Sequence, residues 1–159
     1  MTEYRPIGIV HSPLRTRGSP PFQSSFSRAE GTIEIYPEFR AGLRDLDAFS
    51  HIIVIAEFNQ AERQALSEHP LLDGEAHHGI FACRHFNRPN PIGLSYAALR
   101  EIRNGTLVVS GIDLLEGTPV LDIKPYIPAF DCIPGAGTGW VTQEHVDRLR
   151  AAGSGAGHQ

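Results

Sequence analysis

A chain of 159 residues, 41% hydrophobic and 20% charged, fits one domain with a real core and excludes a disordered polymer. A net charge of −4 excludes a surface coated in basic groups, so any contact with nucleic acid must concentrate its arginines locally. The 16 glycines and 12 prolines point to many turns and a β-rich fold.

The N-terminus, Met1-Thr2-Glu3-Tyr4-Arg5-Pro6, has no apolar signal core, and the central apolar run Ile52–Ala56 is far too short to span a bilayer. Cys83 and Cys132 form no CxxC pair and set up no disulfide framework, which favours a reducing compartment. A soluble cytoplasmic protein without membrane contact is expected.

Ile7-Gly8-Ile9-Val10 reads as a short strand closed by His11-Ser12-Pro13. Leu14 to Glu30 follows without periodicity, carrying Arg15, Arg17 and Arg28 beside Pro20-Pro21 and a serine-rich run; its arginines would suit an anion, and a solvated loop is the plain alternative. Thr32–Tyr36 alternates as a half-buried strand. Pro37 opens a short helix whose Phe39, Leu43 and Leu46 share a face. Ile52–Phe58 is β-branched and nearly continuous, a central strand ending in the amides Asn59 and Gln60. Ala61–Pro70 is polar, with room for a helical turn or two.

Gly79–Cys83 reads as a buried strand leading into Arg84-His85-Phe86-Asn87-Arg88-Pro89-Asn90-Pro91-Ile92-Gly93-Leu94-Ser95. Its prolines fix φ and push the preceding residues toward extended geometry, while Gly93 allows a close approach that a side chain would forbid. The result is a stiff loop bearing two guanidinium groups, an amide and an imidazole; a binding site and a structural corner are both compatible with it. Asn104-Gly105 predicts a hairpin between strands 94–102 and 106–110. Asp113–Gly117 is a turn, Pro119–Lys124 a strand with Asp122 and Lys124 on one face, and Pro125, Pro128 and Pro134 end the regular part. Thr142 caps a short helix carrying Val146 and Leu149, followed by a Gly/Ser tail expected to be flexible. About seven short strands with little helix predict a mainly β, single-domain barrel or sandwich.

His77, His78, Cys83 and His85 mix zinc-type ligands, but their spacing matches no familiar ligand pattern and alternation splits them between faces, so no metal is expected. GxGxxG, GxxxxGK[ST] and GxSxG are all absent, which removes support for a Rossmann methyltransferase, a P-loop enzyme or a serine-hydrolase elbow. Asp113, Glu116, Asp122 and Lys124 surround a tight turn. They could serve turn chemistry alone or line a pocket suited to a cation or a nucleoside.

Residues 83–95 (CysArgHisPheAsnArgProAsnProIleGlyLeuSer), followed by 110–126 (SerGlyIleAspLeuLeuGluGlyThrProValLeuAspIleLysProTyr), resemble the TsaA-like or TrmO-like family. IleGlyIleValHisSerPro (7–13) and LeuArgAspLeuAspAlaPheSerHisIle (43–52) extend the likeness in the same order, over roughly residues 4–131. The resemblance implies a small homodimeric β-barrel that binds S-adenosyl-L-methionine and methylates N6 of a modified adenosine at position 37 of tRNA. It implies cofactor contacts from Gln23, Ser24 and Ser25 in the long loop, and from Asn59 and Gln60 after the central strand. It extends them to Arg84, Leu94, Ser110, Gly111, Ile112 and Asp113. The catalytic residue is left open, with Asp113 and Asp122 as candidate proton acceptors. A barrel domain over 1–140 and a short helix with a flexible tail over 141–159 follow, while longer family members continue into a C-terminal domain. This sequence departs from the family pattern at Cys83-Arg84-His85 (usually Thr-Arg-Ser), at Asn59 (usually His) and at Ser24-Ser25 (usually Pro-Gly). A methyltransferase acting on a small molecule and a non-catalytic cofactor-binding module are the alternatives.

Overall fold

The computed structural model describes residues 3–16, 23–68 and 76–155. Its strands are β1 (Gly8–His11), β2 (Glu30–Ile35), β3 (His51–Glu57), β4 (Ser67–Glu68), β5 (His78–Gly79), β6 (Ile92–Arg103), β7 (Thr106–Ser110) and β8 (Pro119–Pro125). Six close an antiparallel barrel in the order β1-β2-β7-β6-β3-β8, and β4 pairs with β5 as a separate ribbon. Closure leaves the barrel no unpaired edge. The fold is thus mainly β and barrel-shaped, as expected.

Alternation along the strands builds the core. Val10, Ile33, Ile52, Val54, Ala56, Leu107, Val109 and Val120 are all fully buried. Each buried Val or Ile side chain contributes about 1.5–3 kcal/mol relative to exposure. β3 is central, pairing with β6 from His51↔Ala98 to Glu57↔Ile92 and with β8 on its other side. Its odd-numbered residues therefore face outward, beside Leu94, Tyr96 and Ala98 of β6. Asn104 (φ 52) and Gly105 (φ 81) form the anticipated hairpin turn between β6 and β7, both in the left-handed region that such turns require. The close approach expected at Gly93 is with Phe58: a Cβ there would lie 2.4 Å from the ring Cζ.

Several elements differ from the sequence reading. Residues 79–83 are not a strand: only His78 and Gly79 pair, and the chain then turns through a 3-10 helix over Ile80–Ala82. Ile80 and Cys83 are buried while Phe81 is 80% exposed. A spacing of three suits a 3-10 turn, and in so short an apolar run it is easily mistaken for strand burial. The described part of 61–70 contains β4 and no helix. The Pro37 helix is a 3-10 segment over Pro37–Leu43, followed by another over Leu46–Ala48; Phe39, Leu43 and Leu46 pack on the core as their shared face predicts. The long loop holds a 3-10 turn at Ser24–Phe26, while Arg17 and Pro20-Pro21 lie outside the described residues. Beyond the expected elements, α1 (Pro128–Asp131) starts with proline at its first turn, where a missing N–H costs nothing. α2 (Gln143–Gly155) is capped by Thr142, whose Oγ1 accepts the His145 N–H at 3.3 Å, and it runs on through Gly153–Gly155, where a flexible tail was expected.

A charged latch ties β1 to the β7–β8 connection. His11 reaches Glu116 (Nδ1–Oε1 3.2 Å) and Glu34 (Nε2–Oε2 3.3 Å), and the Ser12 N–H donates to Glu116 Oε2 at 2.7 Å. The hydrogen bond to Glu116, then that to Glu34, raises the His11 pKa above its ordinary 6.5. The Ser12 amide, then His11, lowers Glu116 below its ordinary 4.5. The histidine contribution is complete below pH 6.5 and is lost as pH rises through the folded value; the glutamate contribution is complete above pH 4.5 and is lost as pH falls through its own. Thermal stability is expected to peak between those limits, and Glu116→Gln to flatten both flanks in melting curves recorded from pH 3 to 9. An unchanged profile would show that the latch is thermodynamically silent.

Candidate functional site

The stiff loop 84–95 is pinned from below. Arg88 Nη1 donates to the carbonyls of Cys83 (2.7 Å) and His85 (3.3 Å), so this guanidinium holds the loop's own backbone. His85 Nδ1 accepts the Asn87 N–H at 3.1 Å and its ring stacks on Phe86, giving the residue that departs from the family pattern a local structural task. Asn87 Nδ2 donates to Glu68 Oε1 at 3.0 Å, and Arg63 Nη2 reaches the same oxygen at 2.5 Å. The Glu68 carboxylate, on a residue only 4% exposed, therefore anchors the loop to the ribbon. Burial pushes the Cys83 thiol up, and its Sγ sits 3.4 Å from the Gly79 carbonyl, the setting of an inert cysteine. His78 stacks on Trp140 at 4.2 Å, and among the described residues no group of three His, Cys, Asp or Glu side chains could hold a metal ion.

Arg84 leaves this pinned base and enters an open groove of about 780 Å³. Its Nη1 donates to Gln23 Oε1 at 2.9 Å, which bridges the start of the stiff loop to the middle of the long one. Gln23, Ser24, Ser25, Arg84, Ser110 and Gly111 all line the groove. Six of the eleven positions implied as cofactor contacts, scattered over nearly ninety residues, thus converge on one cavity. Gly111 (φ 80) makes the turn off β7 that a side chain would strain. The N–H groups of Gly111 and Ile112 both point to the Ala29 carbonyl (2.9 and 3.3 Å), and Ser27 Oγ donates to the Ile112 carbonyl at 2.5 Å. This knot fixes the 24–29 segment against the barrel mouth.

Asp113 stands behind that wall. Ser95 Oγ, on a fully buried residue of β6, donates to its Oδ1 at 2.5 Å. Burial raises its pKa; the Ser95 hydroxyl, the backbone amides of Asp113 and Ser24, and the Arg84 guanidinium pull the other way without cancelling it. Ser24 Oγ meanwhile accepts the Tyr96 N–H at 3.1 Å. Asp113, Ser24, Ser95 and Arg84 therefore form one connected electrostatic unit at the groove.

The remaining implied positions lie elsewhere in the single chain. Ile112 is fully buried in the core with its backbone already paired. Leu94 is 47% exposed on the outer face of β6, and Asn59 and Gln60 are exposed beyond β3. Asp122, the other candidate proton acceptor, accepts the Ile123 N–H at 2.9 Å and pairs with Lys124 at 2.7 Å on the outside of β8. It does not line the groove, and the two candidate aspartates are not brought together. Of the loop arginines, Arg28 lines the groove, whereas Arg15 approaches Glu116 at 3.9 Å.

The groove also contains residues that the sequence reading missed: His51, Tyr96 and Tyr126, with Arg100, Glu30 and Asp131. Tyr126 meets Tyr96 edge-on at 5.7 Å and His51 at 6.4 Å, forming an aromatic wall across β6, β3 and β8. Continuing the two-residue period from Leu94 would have found Tyr96; His51 and Tyr126 meet only through strand register. An aromatic wall facing guanidinium and hydroxyl groups suits a ligand that combines a planar base with a carboxylate or phosphate.

Comparison with known proteins adds four findings. The family model for the tRNA-methyltransferase O N-terminal domain matches residues 9–132. A Pyrococcus abyssi protein named as a probable S-adenosyl-L-methionine-binding protein is 45% identical over 150 residues, covering 94% of this chain and 80% of the relative. The Escherichia coli tRNA (adenine(37)-N6)-methyltransferase is 33% identical over 144 residues, covering 84% of this chain and 61% of the relative. A crystal structure of TrmO from Pseudomonas aeruginosa superposes with a TM-score of 0.74 at 37% identity, over 87% of this chain and 62% of that one. The chain thus spans less than two thirds of the latter two proteins.

Proposed function

The chain belongs to the tRNA-methyltransferase O N-terminal domain family, and on that premise we propose that it is an S-adenosyl-L-methionine-dependent methyltransferase acting on N6 of a modified adenosine at position 37 of tRNA. The observation that carries this reading is the convergence of Gln23, Ser24, Ser25, Arg84, Ser110 and Gly111 on one groove with an aromatic wall. The donor set fits the cofactor. Arg84 is an exposed guanidinium with a neutral amide partner, available to the carboxylate of the methionine portion. The hydroxyls of Ser25 and Ser110 suit a ribose, and Tyr96 and Tyr126 suit a purine face.

Bound there, S-adenosylmethionine supplies an electrophilic methyl on a sulfonium centre. The protein's share is to align the acceptor nitrogen with the S–CH3 bond and to exclude water. An adenine N6 lone pair is delocalised into its ring, so the acceptor needs a dipole or a base near its departing proton. Glu30 and Asp131 are the described carboxylates on the groove lining, and Asp113 lies behind it.

The active unit in this reading is a homodimer in the cytoplasm. Ile92 (43% exposed) and Leu94 (47% exposed) leave an apolar strip on the outer face of β6, and Asn59 and Gln60 project beyond the same end of the β3–β6 pair. A second copy seated on that strip would explain why these implied cofactor contacts lie away from the groove within one chain. Among the described residues, no helix is long and apolar enough to cross a membrane.

The test is incubation with methyl-labelled S-adenosylmethionine and total tRNA, followed by nucleoside digestion. Label is expected in an N6-methylated adenosine derivative. Unlabelled tRNA, from protein that binds the cofactor, would overturn the assignment in favour of another acceptor.

A further inference from the structure

The groove holds more cationic side chain than the cofactor's single carboxylate calls for. Arg28, Arg84 and Arg100 all line it and all are exposed. Arg84 is held by the Gln23 amide and Arg100 by a hydroxyl, its Nε donating to Ser110 Oγ at 2.8 Å. Among the described residues, no carboxylate lies within ion-pair distance of any of the three, although Glu30 and Asp131 line the same groove. Elsewhere this acidic protein pairs its arginines readily: Arg63 with Glu68, Arg103 with Glu101, Arg148 with Glu144.

Arg100 is also placed by an irregularity. The β6–β7 register steps from Leu99↔Val109 to Glu101↔Val108, so Arg100 is the extra residue of a β-bulge. Bulges re-aim a side chain at the rim of a barrel. This one coincides with the groove and with the only unpaired arginine of its strand, since Arg103 is taken by Glu101. Arg28 lines the same groove, on the segment that the Gly111–Ile112 knot fixes to the barrel.

We propose that Arg28 and Arg100 form an oxyanion clamp for the methyl acceptor, gripping an anionic group next to the target base while the tyrosines hold the base itself. The inference rests on the tRNA reading above. The anion is either a backbone phosphate flanking the base or a carboxylate carried on the modified base. A phosphate accepts a point charge from lysine nearly as well as from arginine, whereas planar two-point capture of a carboxylate requires the guanidinium fork.

The experiment compares Arg28→Ala, Arg100→Ala, the double alanine variant and the corresponding lysine variants. It measures cofactor affinity by calorimetry, and affinity for a labelled anticodon stem–loop RNA, with and without the carboxylate-bearing base, by anisotropy over a salt series. The double alanine variant is expected to bind RNA at least tenfold more weakly while cofactor affinity stays within about twofold. For a phosphate, each alanine lowers the slope of log affinity against log salt by about one, and lysine restores binding. For a base carboxylate, the loss appears only with the modified RNA and lysine fails to restore it. Wild-type RNA affinity in the double alanine variant would overturn the clamp and leave the tRNA assignment intact. A wild-type protein that binds cofactor but neither stem–loop would overturn the tRNA assignment and the clamp with it.

Discussion

Replacing Arg84 with alanine is expected to weaken S-adenosylmethionine binding about 10- to 100-fold without moving the melting temperature. The magnitude follows from the loss of one charge-assisted hydrogen-bonding group, worth about 1.5–3 kcal/mol. The absence of a stability effect follows from position. The Arg84 side chain is exposed and, among the described residues, donates only to the Gln23 side chain, whereas the loop around it is held by Arg88, Asn87 and Glu68. The same substitution at Arg88 removes two hydrogen bonds to loop carbonyls and is a different experiment, one in which the fold itself changes. Calorimetric titration of the Arg84 variant, with a thermal melt as control, separates the two. Unchanged affinity would remove Arg84 from the site and leave the groove without its anchoring cation.

How far such positions could be read from sequence depended on whether local geometry decided them. The Asn104-Gly105 hairpin was legible because both residues must adopt positive φ, and few others do so readily. β3 was legible because five consecutive apolar residues before a polar end fit a strand covered on both sides. Gly93 was legible as a close approach, and Phe58 is what approaches it. The 79–83 segment was not, because burial of Ile80 and Cys83 at a spacing of three resembles a strand when only five residues are available. The groove was legible in part. Arg84, Gln23 and Ser110–Gly111 came from the family pattern, and that pattern says nothing about distance within one chain. Tyr126 meets His51 and Tyr96 only because β8 and β6 flank β3 in a particular register. Arg100 is aimed by a bulge between Leu99 and Glu101, a register slip with no residue signature of its own. Arg15, Arg28 and Arg88 were alike in the sequence, as arginines in irregular segments. Tertiary partners divide them into an ion pair with Glu116, a groove cation and a loop staple.

Asp113→Asn is expected to reduce cofactor affinity about tenfold while leaving thermal stability at pH 7 unchanged or raised. Burial holds the Asp113 carboxyl above its ordinary 3.8 despite the Ser95 hydroxyl, the amides of Asp113 and Ser24, and the Arg84 charge. A carboxyl raised in the folded state binds its proton more tightly there than in the unfolded chain. Its favourable contribution is complete below pH 3.8 and is lost as pH rises through the folded value, so ionising the side chain in the folded state is a cost to folding. Asparagine removes the charge and keeps an oxygen for the Ser95 hydroxyl, so the fold has little to lose. The groove loses more. The carboxyl that interacts with the Arg84 charge disappears, and one of its oxygens facing the Ser24 amide is replaced by a donor or left weaker. A residue retained only for packing would behave oppositely, lowering the melting temperature and leaving affinity alone. Melts from pH 3 to 8 on both proteins, with cofactor calorimetry at pH 7, distinguish the outcomes. The variant should lose the destabilisation that sets in as pH rises from 3.8 through the folded value, and bind more weakly; normal affinity with a lower melting temperature would reduce Asp113 to a scaffold residue. The expected result places Asp113 among groups retained at a cost to the fold because the site uses their chemistry.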